Sequence, residues 1–165
     1  MKNSKYILIA LMVIVVILLG LTKDKKDIVK DTPEKIADIC YIWNTEAGDS
    51  ANLKMAFFGE GGSIVSGSFD FTPAEKDSKT GTFEGTAGPV DKEAMSRTAQ
   101  VLWTASGEGI TNTEELYIKF GEGNAYPAFG EMKDNGSGLY VYADPANLSY
   151  PIALQQTNCD DSTLD

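Results

Sequence analysis

The chain predicts a mostly β domain, a small antiparallel β-barrel or sandwich of about eight short strands, behind an N-terminal transmembrane helix. Three observations carry this expectation. From Cys40 onward apolar residues recur with period two rather than 3.6, as strands with one buried face require. Glycine, asparagine and aspartate separate these runs at short intervals, which is the turn chemistry of sandwiches and barrels. The longest uninterrupted apolar run, Tyr6–Leu21, stands near the N-terminus between lysines.

In chain order, residues 1–5 form a short basic terminus and 6–22 an anchor or uncleaved signal. The apolar run has 16 residues, or 17 with Thr22. A spanning helix needs roughly 20, with a lower limit near 17, and a secretory h-region about 7–15. No Ala-x-Ala cleavage site closes the run, Gly20-Leu21-Thr22 being a poor one, and no cysteine is there for lipoprotein processing. Flanking lysines that snorkel to the headgroups let a slightly short helix span, so an uncleaved anchor in the lipid bilayer is expected. Residues 23–38 are a charged linker in which Thr32-Pro33 offers a helix start, hydroxyl as N-cap and proline at the first position. A short helix or turn over Pro33–Ile39 is the expectation.

The β domain spans 39–160, with a tail at 161–165. Cys40 opens it and Cys159 closes it, and no other cysteine occurs. Such a pair reads as a disulfide staple in an oxidising compartment, which places the domain outside the cytoplasm, periplasmic or at the cell surface. Basic residues on the two sides of the anchor nearly cancel, so charge alone does not set its orientation.

Strands follow in order. Cys40–Asn44 begins the pattern, then Leu53, Met55 and Phe57 alternate with polar neighbours. Val65, Phe69 and Phe71 share a face with Gly67, and the threonine-rich Thr80–Thr86 follows. Ala99, Val101 and Trp103 form one face of Thr98–Ala105; Leu116, Ile118 and Phe120 form one face of the next strand. Ala125–Met132 and Leu139–Tyr142 complete the set. Pro89–Gln100 is the competing helical stretch. Leu53–Ser63 (LKMAFFGEGGS) and Leu116–Ala125 (LYIKFGEGNA) echo one another; Gly-x-Gly as a hairpin turn and a duplicated half-barrel both account for this.

Charge and composition exclude several functions. The chain carries 14 Lys and Arg against 24 Asp and Glu, a net charge of −10, which repels phosphate backbones and makes nucleic acid an unsuitable partner. With no histidine, Ser-His-Asp and Cys-His machinery and histidine metal sites are excluded. No phosphate-binding glycine loop or EF-hand calcium loop occurs, and no cofactor or metal is expected, beyond a weak ion at Asp144 and Asn147 or Glu46–Asp49. Glu84, Glu115 and Glu131 stand on or beside strands and are the candidates for a carboxylate pair of the glycoside-hydrolase kind. Asn135-Gly136-Ser137 and Asn147-Leu148-Ser149 match the glycosylation sequon. The aromatic residues are the better functional clue. Tyr126, Tyr140 and Tyr142 near the C-terminus, with Trp43, are the candidate ligand-binding residues, Tyr140 and Tyr142 sharing a strand face.

The lysine-flanked anchor, the Cys40-Tyr41 opening, the run Thr113–Met132 (TEELYIKFGEGNAYPAFGEM) and the tail Gly138–Tyr150 resemble uncharacterised single-pass, membrane-anchored bacterial surface and envelope proteins with a small β domain. That group has no assigned activity, and so implies no functional residues. More distantly, a Cys-Tyr strand opening a disulfide-closed barrel is similar to periplasmic lysozyme-inhibitor domains, whose serine-glycine inhibitory loop has no clear counterpart here. A pilin is excluded by the missing Gly-Phe cleavage site and following glutamate. The reading is a membrane-anchored, non-catalytic binding domain for a small ligand or an envelope protein. An enzyme-inhibitor module, a carboxylate-based hydrolase and a structural surface subunit are the alternatives.

Overall fold

The computed structural model describes residues 33–159. The segments 1–5, 6–22 and 161–165, and most of 23–38, lie outside them, including the expected anchor. Among the described residues no helix is long and apolar enough to cross a membrane.

The described chain is mostly β. Ten strands follow one another: β1 (Lys35–Asn44), β2 (Ser50–Phe58), β3 (Ile64–Thr72), β4 (Lys79–Ala87), β5 (Arg97–Gly107), β6 (Ile110–Gly121), β7 (Asn124–Pro127), β8 (Met132–Asp134), β9 (Leu139–Tyr142) and β10 (Leu154–Thr157), with a 3₁₀ turn at Glu60–Gly62. They form one sheet in the order β5-β4-β3-β2-β1-β10-β7-β6-β9-β8, and β5 also pairs with β6. That last ladder, Arg97 opposite Phe120 through Gly107 opposite Ile110, joins the two ends of an eight-strand run. Hydrogen-bonded neighbours therefore make a circuit, β1-β2-β3-β4-β5-β6-β7-β10 and back to β1, antiparallel throughout. β9 lies outside this circuit, parallel to the start of β6, with β8 paired to it.

The period-two pattern is what builds the core. Ala51, Leu53, Met55 and Phe57 are buried from β2, and Ala99, Val101, Trp103 and Ala105 from β5. Leu116, Ile118 and Phe120 come from β6, Val65 and Phe69 from β3, and Tyr41 from β1. Burying each large apolar side chain contributes roughly 1.5–3 kcal/mol. Glycine takes the core-facing place at 67, where a Cβ would collide with the Lys54 carbonyl of β2 and stand 2.7 Å from the Phe83 ring. A strand glycine of this kind lets backbones approach closely where a sheet curls tightly.

Four expectations are corrected. There are ten strands rather than about eight, and one pair is parallel. Lys35–Ile39 is extended, not helical: it pairs with Met55–Phe58 of β2, and a whole ladder outweighs a local capping signal. Pro89–Gln100 makes no helix; Asp91 bridges Ser96 and β5 starts at Arg97. Ala125–Met132 is not one strand: β7 ends at Pro127 and β8 begins at Met132, the residues between turning to bond Phe129 with Ser149 instead.

The Gly-Glu-Gly echo is local turn chemistry of two kinds. Glu122 (φ 48°) and Gly123 (φ 79°) join β6 to β7, the positive pair a two-residue primed hairpin requires. Glu108 (φ 49°) and Gly109 (φ 78°) join β5 to β6 in the same way. The earlier copy instead forms the 3₁₀ turn at Glu60–Gly62.

The disulfide is present: Cys40 and Cys159 are bonded, 119 positions apart. Cys40 is fully buried, on the strand to which β10 pairs, so the bridge ties the end of the described chain to its first strand.

Candidate functional site

The two ends of the strand circuit carry different chemistry. At the end where β1 begins, Arg97, the only arginine of the chain, turns toward the core opposite Phe120. Its Nε donates to the Gly88 carbonyl (2.7 Å), Nη1 to Gly61 (3.0 Å), and Nη2 to Gly62 (3.1 Å) and Ala87 (3.2 Å). The guanidinium stands 5.9 Å from the Phe120 ring. This end is closed by backbone carbonyls gathered on one cation.

The opposite end holds a cavity of about 230 Å³. Phe69 and Phe71 near the end of β3, Lys79 at the start of β4, Trp103 on β5 and Glu114 and Leu116 on β6 line it on the sheet side. Register brings them together: Phe71 lies opposite Lys79 and Trp103 opposite Glu114. The remaining wall is the segment after β7, from Pro127 to Gly130, with Met132 and Tyr142. That wall is pinned at several points. Ala128 N–H donates to the Tyr117 carbonyl (2.8 Å), and Phe129 exchanges backbone hydrogen bonds with Ser149 (2.8 and 2.9 Å). The Tyr142 hydroxyl donates to the Ala128 carbonyl (2.9 Å). Phe129 meets Phe71 edge to face at 5.8 Å, and beyond this pair a shallower groove runs past Ala47, Asp49 and Glu75.

The cavity is aromatic with a charged rim. Phe69 and Trp103 rings stand 5.1 Å apart. Lys79 Nζ pairs with Glu114 Oε1 at 2.6 Å, the two side chains 45% and 16% exposed, and the same ammonium is 5.9 Å from the Trp103 ring centroid. Trp103 is only 5% exposed, yet its indole N–H finds no hydrogen-bond acceptor among the described residues. An unpaired buried donor costs about 1–3 kcal/mol. Burial pushes the Tyr142 phenol well above the usual tyrosine range, with Tyr150 and Glu115 adding to it; the hydroxyl stays a donor.

Of the four aromatic residues expected to bind ligand, only Tyr142 lines the cavity. Trp43 packs against the core. Tyr126 pairs with Lys119 along the β6–β7 ladder, and Tyr140 is exposed. Tyr142 is buried, its hydroxyl on the Ala128 carbonyl and its ring beside Gly130. Trp103, Phe71, Lys79 and Glu114 were not singled out as ligand-binding by sequence; the signal available was the charged residue sitting in register with each strand's apolar face, Lys79 with Phe83 and Glu114 with Leu116. Of the three carboxylates expected as a hydrolase pair, Glu115 alone lines the cavity, accepting from Gln100 Nε2 at 2.8 Å; Glu84 is exposed opposite Leu102 and Glu131 is exposed. Among the described residues no three Cys, Asp or Glu gather to hold a metal ion. Asp49 and Asp144 serve backbone amides, of Ala74 and Ala146 respectively.

No family model, curated protein or solved structure matches the chain.

Proposed function

We propose that this chain is a membrane-anchored, extracytoplasmic binding domain that holds the apolar body of a small ligand at one end of a closed β-barrel and does not transform it. The observation that carries the reading is the cavity beside Trp103: aromatic walls, a pinned segment across it, and a buried indole N–H without an acceptor. An engineered cavity of about 150 Å³ suffices for benzene, so about 230 Å³ accommodates one substituted ring. Ligand sites are commonly concave, largely apolar, and set in the mouths of barrels. The circuit of strand pairings supports the barrel, and the Cys40–Cys159 bond supports an oxidising compartment. Anchoring rests on the Tyr6–Leu21 run and its flanking lysines.

The test is two-dimensional NMR of the indole N–H signals of the full chain in lipid nanodiscs, titrated with neutral ring compounds such as toluene and benzyl alcohol. The chain has two tryptophans, and Trp43→Phe assigns them. The expected result is a saturable shift of the Trp103 indole with the Trp43 signal unmoved. If neither compound moves the Trp103 indole, or both tryptophans drift together without saturating, the reading fails.

A further inference from the structure

The rim of this cavity points to the charge of what binds there, an inference that rests on the binding reading above. Lys79 and Glu114 both stand in register with the core-facing residues of their strands, on either side of Trp103. The Lys79 ammonium is already held as a bound cation would be, against a carboxylate oxygen at 2.6 Å and within cation–π reach of an indole face at 5.9 Å. The two partners are unequal. Glu114 is largely enclosed, whereas the lysine side chain is nearly half exposed and loses rotamer freedom by staying. Exposed pairs of this kind hold weakly. A ligand ammonium attached to an apolar body would fill the cavity and take over both contacts, releasing Lys79 to water. The chain's net charge of −10 raises the local concentration of cations and lowers that of anions.

We propose that the ligand is a small organic cation, an ammonium group on a short apolar or aromatic body, and that Lys79 is a tethered occupant of its subsite. An anion would instead use Lys79 as its partner and be repelled by Glu114, so the two charge classes make opposite predictions for the same substitutions.

Benzylammonium, benzyl alcohol and benzoate share one ring and differ in charge. Each is titrated into the full chain in nanodiscs, following the Trp103 indole signal, for the unmodified protein, Lys79→Met and Glu114→Gln. Glu114→Gln keeps side-chain length and Lys79→Met shortens it by one atom while keeping an unbranched apolar stem, and unchanged circular dichroism melts certify folding. Benzylammonium should bind the unmodified protein tighter than benzyl alcohol. Lys79→Met should raise its affinity about two- to fivefold, the worth of the weak pair it removes, and Glu114→Gln should lower it about tenfold, the order expected for one charge-assisted contact. Benzoate binding tightest, or Lys79→Met weakening benzylammonium, overturns the proposal. Equal affinity for benzylammonium and benzyl alcohol in all three proteins also overturns it while leaving the apolar binding site intact. Binding by none of the three compounds removes both.

Discussion

Arg97 offers the sharpest test of how the closed end of the domain is held. Its guanidinium donates four hydrogen bonds to carbonyls of two separate turns, Gly61 and Gly62 on one side, Ala87 and Gly88 on the other. Replacing it by methionine keeps the aliphatic stem beside Phe120 and removes every donor. A hydrogen bond to a charged group contributes roughly 1.5–3 kcal/mol when buried, but one of these four is exposed and three are only part-buried. Fixing an arginine side chain also costs up to about 2 kcal/mol. Taking about 1 kcal/mol for each contact and subtracting part of the ordering cost leaves about 2–4 kcal/mol. For a domain of this size 1 kcal/mol moves Tm by about 4 °C, so Arg97→Met should melt about 8–16 °C lower. Arg97→Lys, with a single ammonium in place of the fork, should fall between. Differential scanning calorimetry reads both. A melting point within about 3 °C of the parent for Arg97→Met would refute the carbonyl clamp as a stabilising element, since the stem alone would then account for it.

Two further outcomes follow from the same structure. Removing the staple by Cys40→Ala with Cys159→Ala opens a loop closed across 119 positions; the chain-entropy relation assigns this roughly 5 kcal/mol, or about 20 °C in Tm, and equal melts for the oxidised and reduced protein would contradict it. Asp49 accepts from the Ala74 amide at 2.9 Å and from the Thr45 hydroxyl at 2.8 Å, and these bonds hold its carboxyl below the usual carboxylate range, the Ala74 amide first among them. A depressed carboxyl stabilises the folded state above its ordinary pKa, and that contribution is lost as pH falls through the folded value. Acid titration of stability should therefore show a steeper loss below about pH 4 for the parent than for Asp49→Asn, and superimposable profiles would exclude the Asp49 link.

The amino-acid sequence alone determined the β class, the core faces of the long strands and the disulfide. Each of those is written locally or by scarcity. Leu53, Met55 and Phe57 must share a face if the segment is extended, and two cysteines leave a single intramolecular pairing. Where short or charged segments pair, and which side chains meet, is settled by long-range strand pairing. Leu154–Thr157 is too short to show a period, and is a strand because β1 and β7 flank it. Lys35–Ile39 is charged and carries a capping signal, yet the exposed edge of β2 draws it into the sheet. The cavity end depends most on the fold. Lys79 and Glu114 lie 35 positions apart, and only the register of β4, β5 and β6 places one on each side of Trp103. Tyr126, near in sequence to Tyr142, is kept from the cavity because strand alternation turns its neighbours Ala125 and Pro127 inward instead. Period and composition say which residues will be buried; strand register, a property of the closed set of ladders, says which of them become neighbours.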